Sequence, residues 1–287
     1  MASSTLIFLI QCPDQTGLIA KISSFFYERG YNILSCQQVT DEIQQQYFMR
    51  IKLDGAGVSI TRKELAKQFT TLAESLQLQW SVYYADDVEN TAILVSKTSH
   101  CLFDLLERQS QGKIRTNIPL VVSNHPDLEY VADQFRVPFY CLPIQGQDKA
   151  AQEQRLRGLL ITHHIDLVVL ARYMQILSPD FVRHFAGRII NIHHAFLPAF
   201  KGANPYRRAY ERGVKMIGAT AHYATDDLDE GPIIEQDVER VTHASTPHRL
   251  ANIGADIEHK VLTQAVRSHL EHRIIIVGNR TIVFPES

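Results

Sequence analysis

Apolar positions change their spacing along the chain, and each change marks an element. Leu6 to Gln11 reads as a strand, followed by the punctuated turn Cys12-Pro-Asp-Gln-Thr-Gly17. Leu18, Ile19, Ile22, Phe25 and Phe26 then recur at helical spacing, and Gly30 ends that helix. Ile33 to Thr40 and Tyr47 to Leu53 predict two strands around a polar turn near Gln44. Leu65, Phe69, Leu72 and Leu76 mark a second amphipathic helix, and Trp80 to Tyr84 a last strand. The order βαββαβ predicts a ferredoxin-like domain over residues 1–86.

Asp86-Asp-Val-Glu-Asn90 is a polar linker, after which strands and helices alternate. Strands are expected at Ala92 to Val95, Pro119 to Ser123, Phe139 to Leu142 and Asp166 to Ala171. The last is a continuous apolar run, as in a strand covered on both faces. Helices are expected at Cys101 to Arg108, near Leu128 to Phe135, from Gln147 to His163, from Asn204-Pro205 to Arg212, and from Thr246 to Leu270. Asn204 would cap its helix, with Pro205 at the first position. Gly278-Asn-Arg280 predicts a terminal hairpin between Ile274–Val277 and Thr281–Phe284. Residues 87–287 therefore read as a doubly wound, mostly parallel α/β domain, with ligands at the carboxyl ends of its strands.

Composition narrows the class. With 287 residues, 45% hydrophobic, 21% charged and a net charge of −2, the chain is an ordinary globular one without the basic excess of a nucleic-acid binder. Cys12, Cys36, Cys101 and Cys141 are scattered and read as reduced thiols of a cytoplasmic protein. No apolar run approaches membrane-spanning length. GxGxxG, P-loop and GxSxG motifs are absent, which removes support for dinucleotide, ATP and α/β-hydrolase chemistry. The histidine pairs His163-His164 and His193-His194 form no chelating motif, so no metal is expected.

Candidate chemistry lies in Asn191-Ile-His-His-Ala-Phe-Leu-Pro-Ala-Phe-Lys-Gly202, at the end of an apolar run. Alternation along a strand sends Asn191 and His193 to one face. An amide can donate to a developing oxyanion, and an imidazole can move a proton. A carboxylate would complete an acyl-transfer site. The acidic turn closed by Gly231-Pro232 offers Asp226, Asp227, Asp229 and Glu230, and spacing alone does not choose among them. His194 reads either as a further polar group of the site or as a solvated side chain.

These two blocks resemble the signature of the 10-formyltetrahydrofolate-using formyltransferases, the fold of glycinamide ribonucleotide transformylase and methionyl-tRNA formyltransferase. The resemblance implies a catalytic trio of Asn191, His193 and Asp229. It also implies that the strand and loop from Asp166 to Pro179, with the acidic turn, hold the folate. Arg172, Tyr173, Met174, Gln175, Ile176, Leu177, Thr225 and Asp226 are the implied contacts. One feature departs from the transformylases, whose glycine-rich loop after the first strand cradles the acceptor's phosphate. Here the equivalent stretch Val95-Ser-Lys-Thr-Ser-His-Cys-Leu102 has no glycine.

The amino-terminal third resembles the ACT domains through Pro13-Asp14-x-x-Gly17-Leu18 and Gly30-Tyr-Asn-Ile33. That implies a regulatory and oligomerisation module, with Asp14, Gly17 and Asn32 near an amino-acid effector such as methionine or glycine, and a homo-oligomer. An ACT-like domain before a formyltransferase-like one, with Asn191-Ile-His-His and Gly202-Ala-Asn-Pro-Tyr206, resembles the formyltetrahydrofolate deformylase family over nearly the whole chain. The implied activity is hydrolysis of 10-formyltetrahydrofolate to tetrahydrofolate and formate, serving purine synthesis and the one-carbon pool. Folate is then the substrate, with no tightly bound cofactor and no nucleic-acid or membrane partner. The alternatives are formyl transfer to an amine such as glycinamide ribonucleotide, or a non-catalytic amino-acid and folate sensor.

Overall fold

The computed structural model describes residues 5–144, 148–197 and 205–286. Two compact units emerge. The first comprises Met1–Val88 with His272–Ile275 and Ile282–Ser287; the second comprises Glu89–Glu271 with Ile276–Thr281.

In the first unit the chain runs β1 (Thr5–Pro13), α1 (Leu18–Tyr27), β2 (Asn32–Asp41), β3 (Gln46–Asp54), α2 (Arg62–Leu76) and β4 (Gln79–Tyr84). The strands form one antiparallel sheet in the order β2-β3-β1-β4. This is the βαββαβ arrangement that the hydrophobic spacing predicts. Its core is aromatic: the Phe8 ring centre lies 4.7 Å from that of Phe69 and 5.0 Å from that of Phe26. Gly17, at φ 89°, makes the left-handed entry into α1 that a residue with a Cβ adopts only with strain.

The second unit continues with β5 (Asn90–Val95), α3 (His100–Ser110), β6 (Asn117–Ser123), α4 (Glu129–Gln134), β7 (Phe139–Cys141), α5 (Lys149–Thr162), β8 (Leu167–Leu170) and α6 (Pro179–His184). There follow β9 (Ile189–His193), α7 (Pro205–Arg212), β10 (Met216–Tyr223), β11 (Ile233–Arg240) and α8 (Pro247–Leu270). The closing hairpin is β12 (Ile274–Val277) and β13 (Arg280–Val283). The seven-stranded sheet has the order β11-β10-β9-β8-β5-β6-β7. Only β10 runs against its neighbours. The sheet is thus mostly parallel, and both its faces are covered, so β8 is buried at every residue.

Strand order reverses between β5 and β8, which opens a crevice at their carboxyl ends. Ser96, just past β5, spans it: its Oγ accepts from the Met174 backbone N–H at 2.9 Å and donates to Asn124 at 2.6 Å. Asp148 caps α5 by accepting from the Ala151 N–H at 3.0 Å. The expected helix start at Gln147 and the Asn204 cap lie outside the described residues, as does the stretch 198–204. β11 is an element that apolar spacing did not predict, because Ile233–Arg240 is a half-exposed edge strand with few apolar positions. Ser178 caps α6 by accepting from the Phe181 N–H at 3.2 Å. Ser178→Ala is expected to cost about 1 kcal/mol of stability, read from urea unfolding midpoints.

Candidate active site

β9 ends with Asn191 and His193, and β10 lies antiparallel beside it. The register sets His222 opposite Asn191 and Thr220 opposite His193. Cross-strand neighbours on one face are within side-chain reach, and Asn191 Nδ2 lies 3.2 Å from His222 Nε2. The Tyr223 carbonyl, 3.0 Å from His222 Nδ1, requires the proton on that nitrogen. In the neutral ring Nε2 is then an acceptor for the Asn191 amide, and fixes which way that amide faces.

After β10 the chain turns back on itself. Gly231 permits this, because a Cβ there would sit 1.8 Å from the Tyr223 carbonyl oxygen. Asp229 takes φ 57°, a left-handed conformation that Asp and Asn tolerate better than most residues. The turn brings Asp229 Oδ2 to 3.2 Å from His193 Nδ1 and Oδ1 to 3.7 Å from His222 Nε2. Burial opposes ionisation of Asp229, but its contacts with the His193 and His222 rings outweigh that. Its carboxyl is held well below the usual range. His193 is 5% exposed, and its Nε2 is buried with no hydrogen-bond partner among the described residues. An orphaned nitrogen opposite a nitrogen anchored to a carboxylate is the arrangement of an imidazole awaiting a reacting atom.

These groups line a cavity of about 720 Å³. All eight residues of the expected folate segment line it too: Arg172, Tyr173, Met174, Gln175, Ile176, Leu177, Thr225 and Asp226. Met174 and Ile176 are more than half exposed, as walls awaiting a flat ligand would be. Tyr173 is buried, and its hydroxyl accepts from Gln152 at 2.9 Å. Arg172 stands at φ 66° with its Nε 3.4 Å from a Glu258 oxygen.

His194 lies beside His193, ring centres 5.2 Å apart. Burial, then the charges of Arg172 and His193, lower its pKa to about 4. It is therefore neutral at neutral pH and adds no charge next to His193. The unfolded chain takes up a proton near pH 6.5 that folded His194 refuses. Its contribution to stability is thus complete above pH 6.5 and falls as pH drops toward 4. His194→Gln is expected to flatten the decline of Tm across that interval; an unchanged slope would contradict the assignment.

His222, Tyr206 and Glu258 belong to this neighbourhood without having been singled out from the sequence. His222 had a readable signal, since alternation along β10 sets it on the face of Thr220. Glu258 sits beside Ile257, Val261 and Leu262 of α8, all buried, and a carboxylate on an apolar helix face signals a partner. Among the described residues, ligand atoms of His100, Cys101 and Glu258 lie within 4.8 Å of one another, a possible metal set. Glu258 is already paired with His100 at 2.8 Å and stands beside the Arg172 cation, which disfavours a divalent ion there.

In the first unit, Asp14 and Gly17 line a separate cavity of about 580 Å³ with Leu18, Gln38, Thr40 and Tyr47. Asn32 does not line it. It opens β2 opposite Asp54, and that register places it elsewhere.

Residues 89–266 match the formyl transferase family and residues 6–70 the ACT domain family. A formyltetrahydrofolate deformylase from Synechocystis sp. is 51% identical over 284 residues, 99% of this chain and 100% of that one. The chain belongs to the formyltetrahydrofolate deformylase family. A deformylase from Bacillus subtilis is 47% identical, across 96% of this chain and 92% of that one. The crystal structure of a formyltetrahydrofolate deformylase from Pseudomonas syringae superposes with a TM-score of 0.95 at 39% identity, covering 98% of this chain and 94% of that one. Membership of the deformylase family accounts for both units, an ACT domain ahead of a formyltransferase-type α/β sheet.

Proposed function

We propose that this protein hydrolyses 10-formyltetrahydrofolate to tetrahydrofolate and formate. The observation that carries the reading is the convergence of Asn191, His193 and Asp229 on one cavity, in a chain similar to deformylases over its whole length. The pterin lies along the segment after β8, between its apolar walls and the turn after β10. Water attacks the N10-formyl carbon. Asn191 Nδ2 and protonated His193 Nε2 donate to the oxyanion that forms. Asp229 positions the water and stabilises the imidazolium. A new C–O bond forms and the C–N10 bond breaks. One proton of the water ends on N10, and the other is released with formate.

In the same reading the ACT domain binds an amino acid. Gly17 opens α1 with no side-chain cap, so backbone N–H groups there are available to a carboxylate. Methionine and glycine are the proposed effectors, and a homo-oligomer the proposed assembly. The four cysteines are all unpaired thiols, which suits the cytoplasm. Among the described residues, no helix is long and apolar enough to cross a membrane.

The test is release of formate and tetrahydrofolate from 10-formyltetrahydrofolate with no amine present, repeated with methionine and with glycine. Equimolar, catalytic release supports the hydrolase. A shift in rate with either amino acid supports the regulatory role, and no shift with either removes both from it.

A further inference from the structure

We propose that a self-paired cluster around Glu258 closes one flank of the reaction centre and so makes water, rather than an amine, the formyl acceptor. The inference rests on the hydrolase reading above and identifies what enforces it. The cavity has two unlike flanks. One is open and apolar, with Met174 and Ile176 exposed. The other is buried and charged.

On that second flank Arg172, His194 and Tyr206 line the cavity, and a run of side chains that starts at the reacting histidine continues behind them to Glu258 and His100. The His194 ring stacks beside His193, and the Tyr206 ring centre lies 6.4 Å beyond. The Tyr206 hydroxyl donates to Glu258 Oε1. Glu258, 1% exposed, also accepts from His100 Nε2 at 2.8 Å and lies 3.4 Å from Arg172 Nε. Burial opposes its charge, and these partners overcome that and hold its carboxyl below the usual range. The wall has no slack. A Cβ at Gly254 would lie 2.0 Å from the Tyr206 hydroxyl oxygen and 2.2 Å from Cζ, so the phenol packs directly on the α8 backbone.

An amine acceptor needs vacated volume beside the formyl carbon and polar groups to hold it. The groups suited to that task, the Glu258 carboxylate and the Tyr206 hydroxyl, are committed to each other. Freeing them would break a buried charge network and leave its members unpaired. Water needs neither the space nor the partners. Its attack gives formate. Attack by an amine nitrogen would instead form a C–N bond, break the C–N10 bond, move one amine proton to N10 and give an N-formyl amide.

The experiment incubates the native protein, His100→Ala, Tyr206→Ala and the double variant with 10-formyltetrahydrofolate and glycinamide, and measures formate and N-formylglycinamide. The native protein should yield formate. The opened variants should raise the amide-to-formate ratio at least ~10-fold above the native value, the scale on which one steric group discriminates. Tyr206→Phe keeps the ring and loses the hydroxyl, so it should move the ratio less than Tyr206→Ala. Formate as the sole product of folded, opened variants would overturn the proposal. Should the double variant fail to fold, Tyr206→Ala decides alone, since Tyr206 lines the cavity and His100 does not. A native protein that releases no formate without an amine would instead sink the hydrolase reading itself.

Discussion

His193→Ala is expected to lower turnover of 10-formyltetrahydrofolate at least ~100-fold while the protein stays folded, the usual scale for a general acid–base group. Among the described residues His193 Nε2 is buried without a partner, whereas Nδ1 is anchored to Asp229 at 3.2 Å. The residue thus presents one nitrogen to whatever enters the cavity. In the proposed mechanism, removing the ring deletes a donor to the oxyanion. The main chain of β9 is held by its registers with β8 and β10, neither of which uses the His193 side chain. Loss of turnover with an unchanged far-ultraviolet spectrum and KM is therefore predicted. Near-normal turnover in a folded variant would refute the role.

Asp229→Asn should cause a comparable loss, at least ~100-fold, because the change removes the charge that stabilises an imidazolium. The backbone makes this a clean substitution. Asp229 stands at φ 57°, and asparagine is among the side chains that occupy that region most readily. Size and conformation are preserved, and only the charge is lost. A second consequence concerns acid stability. The folded carboxyl is held below its ordinary value, so its contribution to stability is present above the unfolded pKa and is lost as pH falls below it. Asp229→Asn should remove that part of the acid sensitivity. A variant with full turnover, or one with no change in acid unfolding, would contradict the ion pair.

Much of this site was legible in the sequence because periodicity carries it. Asn191 and His193 share a face by strand alternation, and the apolar run before them marks a buried strand end. Asp229 is different. Its neighbours Asp226, Asp227 and Glu230 have the same chemistry, and a turn has no period, so only the resemblance chose among them. In the fold, Asp226 pairs with Arg183 at 2.8 Å, while Asp229 turns inward. Long-range pairings were beyond local pattern. Ser96 meeting Met174, and Glu258 gathering His100, Arg172 and Tyr206, join segments distant in sequence. Both fold classes followed from element order, but β11 did not, because the face opposite Glu235, Asp237 and Glu239 carries Gln236 and Arg240 beside Ile234 and Val238 and so is not evenly apolar. The missing glycine in Val95–Leu102 acquires a physical counterpart: His100 in that stretch is part of the Glu258 cluster.

The central claim is that water is the formyl acceptor, and turnover in ¹⁸O-labelled water tests it most directly. Hydrolysis forms one new C–O bond, so each formate released in the absence of any amine should carry one labelled oxygen, in step with tetrahydrofolate. Unlabelled formate, or no tetrahydrofolate until an amine is added, would contradict the account.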